Sequence, residues 1–237
     1  MPADLLIFDC DGVLIDSEPV ASGLLAKALQ RAGVDVSHVE VHRRFTGASE
    51  SESRRICVDE FGLADVDGLF SRWKAQVYDE FTRSLRPMTG MVDLVRSLSH
   101  PKCVASNSSI ERLRRSLGLF HLWTDFAPHI FSAEMVAHPK PAPDLFQLCA
   151  RTFGTAPERC VVIDDNAHGI VGAVAAGMKA IGFVDPADPR ADRHAVLKEA
   201  GALVTTEGAD ELAAAIHAIS PAAAHTADAA NRMRSHH

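Results

Sequence analysis

The sequence predicts an α/β fold, a parallel sheet alternating with helices, carrying a helical block inserted after its first strand. Three observations carry that prediction. Four short apolar runs (Leu5–Phe8, Cys103–Ala105, Cys160–Ile163 and Ala180–Val184) are each followed by small or polar residues and then a helix-period pattern. Residues 16–86 break that format, with helical spacing and no strand pattern. Carboxylates, hydroxyls or amides follow the first three runs directly, at the strand ends where open α/β sheets bind ligands.

Leu5-Leu6-Ile7-Phe8 contains no polar residue and reads as a strand buried on both faces. It runs into Asp9-Cys10-Asp11-Gly12. Strand alternation would send Asp9 and Asp11 to one face and Cys10 to the other. Two carboxylates held that close need a cation, a shared proton or a charged ligand. The block that follows holds helix-like segments over Ala21–Ala32, Val39–Phe45, Glu50–Phe61 and Val66–Leu85, with Leu24, Leu25, Ala28 and Leu29 at helical spacing. Gly33 and Gly62 stand where helices stop. The chain returns through Arg86-Pro87-Met88-Thr89-Gly90, so the block reads as a cap over the carboxyl end of the first strand. Met91–Leu98 resumes as a core helix, and Ala202–Val204 is a weaker fifth strand candidate. This organisation assigns residues 1–15 and 87–220 to the core and 16–86 to the cap, and residues 221–237, rich in alanine, to a flexible tail.

Composition narrows the function classes. A formal net charge of −7 over 237 residues argues against a broad nucleic-acid surface, though a locally positive site for a small phosphorylated ligand remains compatible with it. Five scattered cysteines without CxxC spacing read as reduced, buried residues, and Cys10 as pointing away from the carboxylate face. No apolar run approaches the roughly twenty residues of a membrane span. The first strand begins too early to leave room for a signal peptide, which leads to the expectation of a cytoplasmic protein.

The strand ends carry the chemistry. After Cys103–Ala105 comes Ser106-Asn107-Ser108-Ser109 and a helix starting near Ile110, where hydroxyls and backbone N–H groups form a ready anion site or, more plainly, a helix cap. After Cys160–Ile163 comes Asp164-Asp165-Asn166, a costly pair of carboxylates unless a cation sits there or the turn is exposed. Between them lies His138-Pro139-Lys140-Pro141-Ala142-Pro143-Asp144, whose prolines fix the backbone and aim Lys140 at a defined point. Together these supply an oxygen nucleophile, a second carboxylate, acidic metal ligands, an anion cradle and a cation. That is the inventory for phosphoryl transfer to an aspartate.

In this order the four segments resemble the four motifs of the haloacid dehalogenase-like hydrolase superfamily, in the subgroup whose helical cap follows the first motif, over nearly all of residues 4–185. The resemblance implies a Rossmann-like core and Mg2+. It implies that Asp9 is the nucleophile that becomes phosphorylated, and that Asp11 is general acid and then base, with its backbone carbonyl on the metal. Ser106 and Asn107 would bind the phosphoryl group together with Lys140, and Asp164 and Asp165 would complete a metal site formed with Asp9 and Asp11. Asp11 argues against the dehalogenase and phosphonate-cleaving branches, which lack an aspartate there. The cap stretch Arg44-Phe45-Thr46-Gly47-Ala48-Ser49-Glu50 resembles the Arg-Leu-Lys-Gly-x-Ser-Arg signature of β-phosphoglucomutases, but Thr46 and Glu50 replace its lysine and second arginine. Ala21 also occupies the place of a mutase histidine. The expectation is therefore a phosphatase of a phosphorylated sugar, sugar acid or polyol, similar to bacterial sugar phosphatases and acting through an aspartyl-phosphate. A β-phosphoglucomutase-like mutase and an inactive ligand-binding relative are the alternatives. Arg43, Arg44, Glu50 and Arg54 are candidates for reading the leaving group, against a plain solvated helix surface, and His168 reads as structural. The expected partner is a small phosphorylated metabolite, with no nucleic acid or membrane, for a monomer or weak homo-oligomer.

Overall fold

The computed structural model describes residues 4–188 and 192–219. Its strands are β1 (Leu5–Phe8), β2 (Lys102–Ser106), β3 (Ile130–Ser132), β4 (Cys160–Asp164), β5 (Lys179–Val184) and β6 (Val204–Glu207). They form one six-stranded sheet in the order β3-β2-β1-β4-β5-β6, every neighbouring pair parallel. The chain steps outward from β1 to β2 and β3, then crosses back to β4, so the strand order reverses beside β1. That reversal opens a crevice at the carboxyl ends of β2, β1 and β4. Register aligns those ends: Phe8 lies opposite Val104 on one side and Ile163 on the other. Asp9 and Asp164 therefore emerge side by side, with Ser106 one residue further along β2.

Four helices fill the connection from β1 to β2's preceding helix: α1 (Glu18–Arg31), α2 (His38–Phe45), α3 (Glu50–Asp59) and α4 (Val66–Ser84). Three start at capping side chains: Ser37, Ser49 and Asp65 accept from the backbone N–H of Glu40, Glu52 and Gly68. The insertion has its own apolar centre, in which Leu25, Leu29, Val41, Phe45, Ile56 and Phe70 pack together. The far end of α4 belongs elsewhere, because Val77, Phe81 and Leu85 join the core of the sheet. α4 thus ties the insertion to the sheet, and Val20 and Leu24 of α1 pack against the same core.

The sheet is buried on both faces, and period-two alternation assigns each residue its side. Leu6 and Phe8 of β1 join Val104, Val161, Ile163 and Phe183 beneath α5 (Met91–Ser97), α6 (Ile110–Gly118), α7 (Leu122–Phe126) and α11 (Gly208–Ile219). Leu5 and Ile7 join Cys103, Ala105, Val162 and Ala180 beneath α8 (Asp144–Phe153), α9 (Ala167–Ala175) and α10 (Arg193–Glu199). At about 25 cal/mol per Å² of apolar surface, these two layers are the main source of stability.

The α/β architecture is as the sequence predicts, with two differences in detail. β3 escaped notice because three residues are too few to show a period. The Ala202–Val204 run is only the approach to β6, whose Val-Thr-Thr-Glu sequence suits a half-exposed edge strand. All five cysteines are buried and free. No helix among the described residues is long and apolar enough to cross a membrane. The segment expected to be a flexible tail, 221–237, lies outside the described residues.

Candidate active site

At the mouth of the crevice Lys140 Nζ donates to Asp9 Oδ1 at 2.8 Å and to Asp164 Oδ2 at 2.7 Å. Both carboxylates and the lysine are buried. One side chain holds both main-chain groups of Lys140: Asn107 Oδ1 accepts from Lys140 N at 3.0 Å, and Asn107 Nδ2 donates to Lys140 O at 3.1 Å. The ammonium also lies 5.1 Å from the centroid of Phe146. Burial opposes its charge, but Asp164 and Asp9 outweigh burial and keep it protonated well beyond the ordinary lysine range.

Asp9, Asp164 and Asp165 bring ligand oxygens within 4.8 Å of one another. That arrangement is unfavourable without a cation. Burial raises the Asp9 carboxyl from an ordinary 3.8 to about 7, with Lys140 opposing the rise and Asp164 and Asp11 adding to it. Burial likewise pushes Asp165 well up, helped by the charges of Asp164 and Asp9. A hard divalent cation with oxygen ligands relieves this strain, and Mg2+ takes one or two carboxylates together with phosphate and water. The donor set fits. The backbone supports it: Asn166 N donates to Asp164 Oδ1 at 2.9 Å, and the buried Arg193 of α10 holds the Asp165 carbonyl while lying 3.4 Å from Asp188. Gly12, at φ +83°, is needed here because a Cβ would fall 2.5 Å from Asp165 Oδ2.

Asp11 departs from the expected geometry. β1 ends at Phe8, and the backbone N–H groups of Leu14 and Ile15 turn back onto the carbonyl of Cys10, so strand alternation does not reach Asp11. Its carboxylate stands apart from the Asp9–Asp164–Asp165 group and faces α6. Asp11 Oδ2 accepts from Ser108 Oγ at 2.5 Å, and Oδ1 accepts from Ser17 Oγ and from Arg112 at 2.7 Å. Burial works against its charge, but Arg112 and the two hydroxyls win and hold the carboxyl below its ordinary range. Arg112 lies within hydrogen-bond reach of Ser17 too, and its guanidinium sits 5.4 Å over the Phe81 ring. Sequence reasoning missed both Arg112 and Ser17. Nothing in Ile110-Glu111-Arg112-Leu113-Arg114-Arg115 separates the inward arginine from its neighbours.

Ser106 is buried at the end of β2, and its Oγ accepts from Ser108 N at 3.2 Å. Above it, the turn between α2 and α3 meets the core. Asn107 Nδ2 donates to Gly47 O at 3.1 Å, and Asn166 Nδ2 donates to Thr46 O at 3.3 Å. Gly47 has φ +80°, and a Cβ there would lie 2.4 Å from Asn166 Nδ2. The space between core and insertion is a pocket lined by Asp9, Asp11, Ser106, Asn107, Lys140, Asp164 and Asp165 below, and by α1, α3 and α4 above. All the core residues that the sequence proposed meet in it.

The insertion's candidates divide. Glu50 lines the pocket. Arg44 does not: it pairs with Glu40 at 3.2 Å and with Glu60, over the Phe61 ring. Arg54 stands behind Glu50, bonded to it at 2.8 Å and to Asp67 at 2.6 Å. Arg43 is exposed outside the pocket. In their place the pocket gains Glu18, Trp73, Lys74 and Tyr78, and also His168, whose Nδ1 is buried with no partner among the described residues.

Comparison with known proteins agrees with this geometry. A family model described as haloacid dehalogenase-like hydrolase matches residues 3–177. The chain is 30% identical over 188 residues to a 6-phosphogluconate phosphatase of Escherichia coli, covering 78% of this chain and 84% of that protein. It is 33% identical over 183 residues to a fructose-1-phosphate phosphatase of the same organism, covering 74% and 94%. A haloacid dehalogenase-like protein of unknown function from Agrobacterium tumefaciens superposes with a TM-score of 0.77 at 36% identity, over 91% of this chain and 98% of that one. A hydrolase from Deinococcus radiodurans with bound phosphate and sodium superposes at 0.73 with 29% identity, over 92% and 96%.

Proposed function

From the premise that the chain belongs to the haloacid dehalogenase-like hydrolases and is a phosphatase, we propose that it hydrolyses small carbohydrate phosphate monoesters with Mg2+, through a phosphorylated Asp9. The observation that supports this reading most is Lys140 clamped between Asp9 and Asp164 beside Asp165, on the floor of a pocket roofed by the helical insertion. Relatives named for phosphogluconate, fructose 1-phosphate and hexitols point to phosphorylated carbohydrates as the substrate class.

Asp9, Asp164, Asp165 and the Asp11 main-chain carbonyl would hold the ion. When bound, Mg2+ supplies positive charge against the transferring phosphoryl oxygens. The remaining work falls to the chain. Asp9 presents a carboxylate oxygen to phosphorus, and Lys140 keeps that carboxylate in place while offering charge to the phosphoryl group. Ser106 and the main-chain N–H groups that open α6 line the phosphoryl site. Asp11 gives a proton to the departing alkoxide and later takes one from the water that attacks the acyl phosphate. The structure holds Asp11 ionised against Arg112, the form suited to the second of these steps. For the first, Asp11 must release Arg112 and take up a proton from solvent, which it then passes to the ester oxygen as the P–O bond breaks. The insertion acts as the cap that covers the leaving group, in a cytoplasmic monomer or weak homo-oligomer.

The test is phosphate release from a panel of phosphorylated sugars, polyols and short acids, with Mg2+ and with EDTA. One preferred ester, silenced by EDTA and restored by Mg2+, supports the reading. Isomerisation of β-glucose 1-phosphate without phosphate release, or turnover in metal-free protein, would overturn it.

A further inference from the structure

We propose, on the premise that the chain is a phosphatase, that the insertion's wall of the pocket selects uncharged sugar or polyol monophosphates and rejects esters whose distal end carries a carboxylate or a second phosphate. Among the described residues, the charged side chains on that wall are Glu18, Glu50 and Lys74. The one cation is already committed: Lys74 Nζ lies 2.6 Å from Glu50 Oε2, while Glu50 Oε1 is held by Arg54 Nε at 2.8 Å. Glu18 Oε2 accepts from the Thr46 hydroxyl at 3.1 Å, which places its carboxylate beside the turn where insertion and core meet.

The cations around that wall are thus committed to carboxylates: Lys74 and Arg54 to Glu50, and Arg112 in part to Glu18. On the floor, Lys140 and Arg112 face carboxylates as well. An anionic distal group would have to take Lys74 from Glu50 in a half-buried setting, leaving Glu50 to Arg54 alone with a second anion beside it. A hydroxyl group meets the opposite situation. Carboxylates accept strong hydrogen bonds from O–H donors, and Ser53 adds a hydroxyl that can donate or accept, while the Ser22 hydroxyl donates to Glu18 O and that of Tyr78 is bonded to Ser109. Leu25, Phe45 and Trp73 supply apolar surface for the C–H side of a carbon chain. The Trp73 ring is fixed for that role, because its Nε1 donates to Ala21 O at 3.1 Å.

A matched pair tests the idea. D-glucitol 6-phosphate and 6-phosphogluconate share a six-carbon chain and a terminal phosphate, and differ at C1, a hydroxymethyl group in one and a carboxylate in the other. The expected result is a kcat/KM at least ~10-fold higher for the glucitol ester, about 1.4 kcal/mol of discrimination. Glu50→Gln frees Lys74 from its carboxylate, and should narrow the ratio at least ~3-fold through a lower KM for the acid, since the contact is remote from phosphorus. Glu18→Gln should narrow it in the same direction, which keeps the test informative if the first variant folds poorly. A wild-type ratio below ~10-fold with both esters hydrolysed overturns the selectivity and leaves the phosphatase standing. A ratio unmoved in both variants overturns the assignment of these carboxylates. No phosphate release from either ester or from 4-nitrophenyl phosphate overturns the phosphatase premise, and the selectivity with it.

Discussion

Replacing Asp9 by asparagine should abolish turnover and at the same time stabilise the metal-free protein. The two effects share one origin. Burial raises the Asp9 carboxyl from 3.8 to about 7, even with Lys140 at 2.8 Å. The folded state therefore binds a proton more tightly than the unfolded chain does. Stability contributed by that proton is fully present below pH ~4 and is lost as pH rises towards ~7. Integrated over that window, the ionised carboxyl costs the metal-free fold at most about 4 kcal/mol at pH 8. The gain from removing it is smaller, because Lys140 then loses one of its two partners; about 1–3 kcal/mol is the expected range. For a chain of this length that is roughly 3–10 °C in Tm.

Thermal melts of wild type and Asp9→Asn in EDTA, between pH 4.5 and 8.5, measure it directly. The variant's advantage should grow with pH up to about 7 and then level off. Mg2+ should raise the wild-type Tm more than the variant's, because the cation relieves a charge that the amide lacks. A variant less stable than wild type at pH 8 in EDTA would show that Lys140 more than compensates the buried carboxylate. The account of this site as one strained for a cation would then be wrong.

Other expectations follow from neighbouring contacts. Lys140→Met leaves Asp9 and Asp164 buried without their shared cation, and should cost about 3–5 kcal/mol at pH 8 in EDTA, partly recovered with Mg2+; denaturant unfolding with and without the ion checks this. Arg112→Ala removes the cation holding Asp11 at 2.7 Å and should destabilise the fold by about 2–4 kcal/mol while lowering kcat, with Arg112→Lys recovering part of both. Gly47→Ala puts a Cβ 2.4 Å from Asn166 Nδ2 at a residue with φ +80°; it should cost about 1–2 kcal/mol and raise KM, read from melts and steady-state kinetics. Asp11→Asn should slow both release of the alcohol and breakdown of the acyl phosphate, visible as a phosphorylated protein that persists after a substrate pulse.

The floor of the site was legible in the sequence because a parallel sheet converts sequence position into spatial position. Once Leu5–Phe8, Cys103–Ala105 and Cys160–Ile163 are recognised as neighbouring strands, register alone sets Asp9 beside Asp164 and Ser106 one residue beyond them on the next strand. The rule stops where the strand stops. β1 ends at Phe8, so the two-residue period that pairs Asp9 with Asp11 had no force beyond it, and Asp11 found Arg112, Ser17 and Ser108 instead. Helices offer no comparable rule. The polar residues of α2 and α3 read alike, and only tertiary packing turns Arg44 to Glu60 and Phe61, sets Arg54 behind Glu50, and leaves Glu50 facing the pocket. Trp73, Lys74, Val77 and Tyr78 have the spacing of a buried helical stripe, which hid that Lys74 and Tyr78 turn into the pocket.

What joins the legible half to the illegible half is a pair of asparagines. Asn107 holds both main-chain groups of Lys140 and, with the same amide nitrogen, the carbonyl of Gly47. Asn166 caps α9, accepting from His168 N, and reaches Thr46 O. Asn107 follows Ser106 at the end of β2, Asn166 follows Asp165 just past the end of β4, and each touches the turn that begins α3 and so places Glu50. The groups that would bind phosphate and metal thus share hydrogen bonds with the segment that meets the leaving group. A shift of the Thr46–Gly47 turn cannot leave Lys140 undisturbed, and catalysis and leaving-group recognition should respond together to any change in that turn.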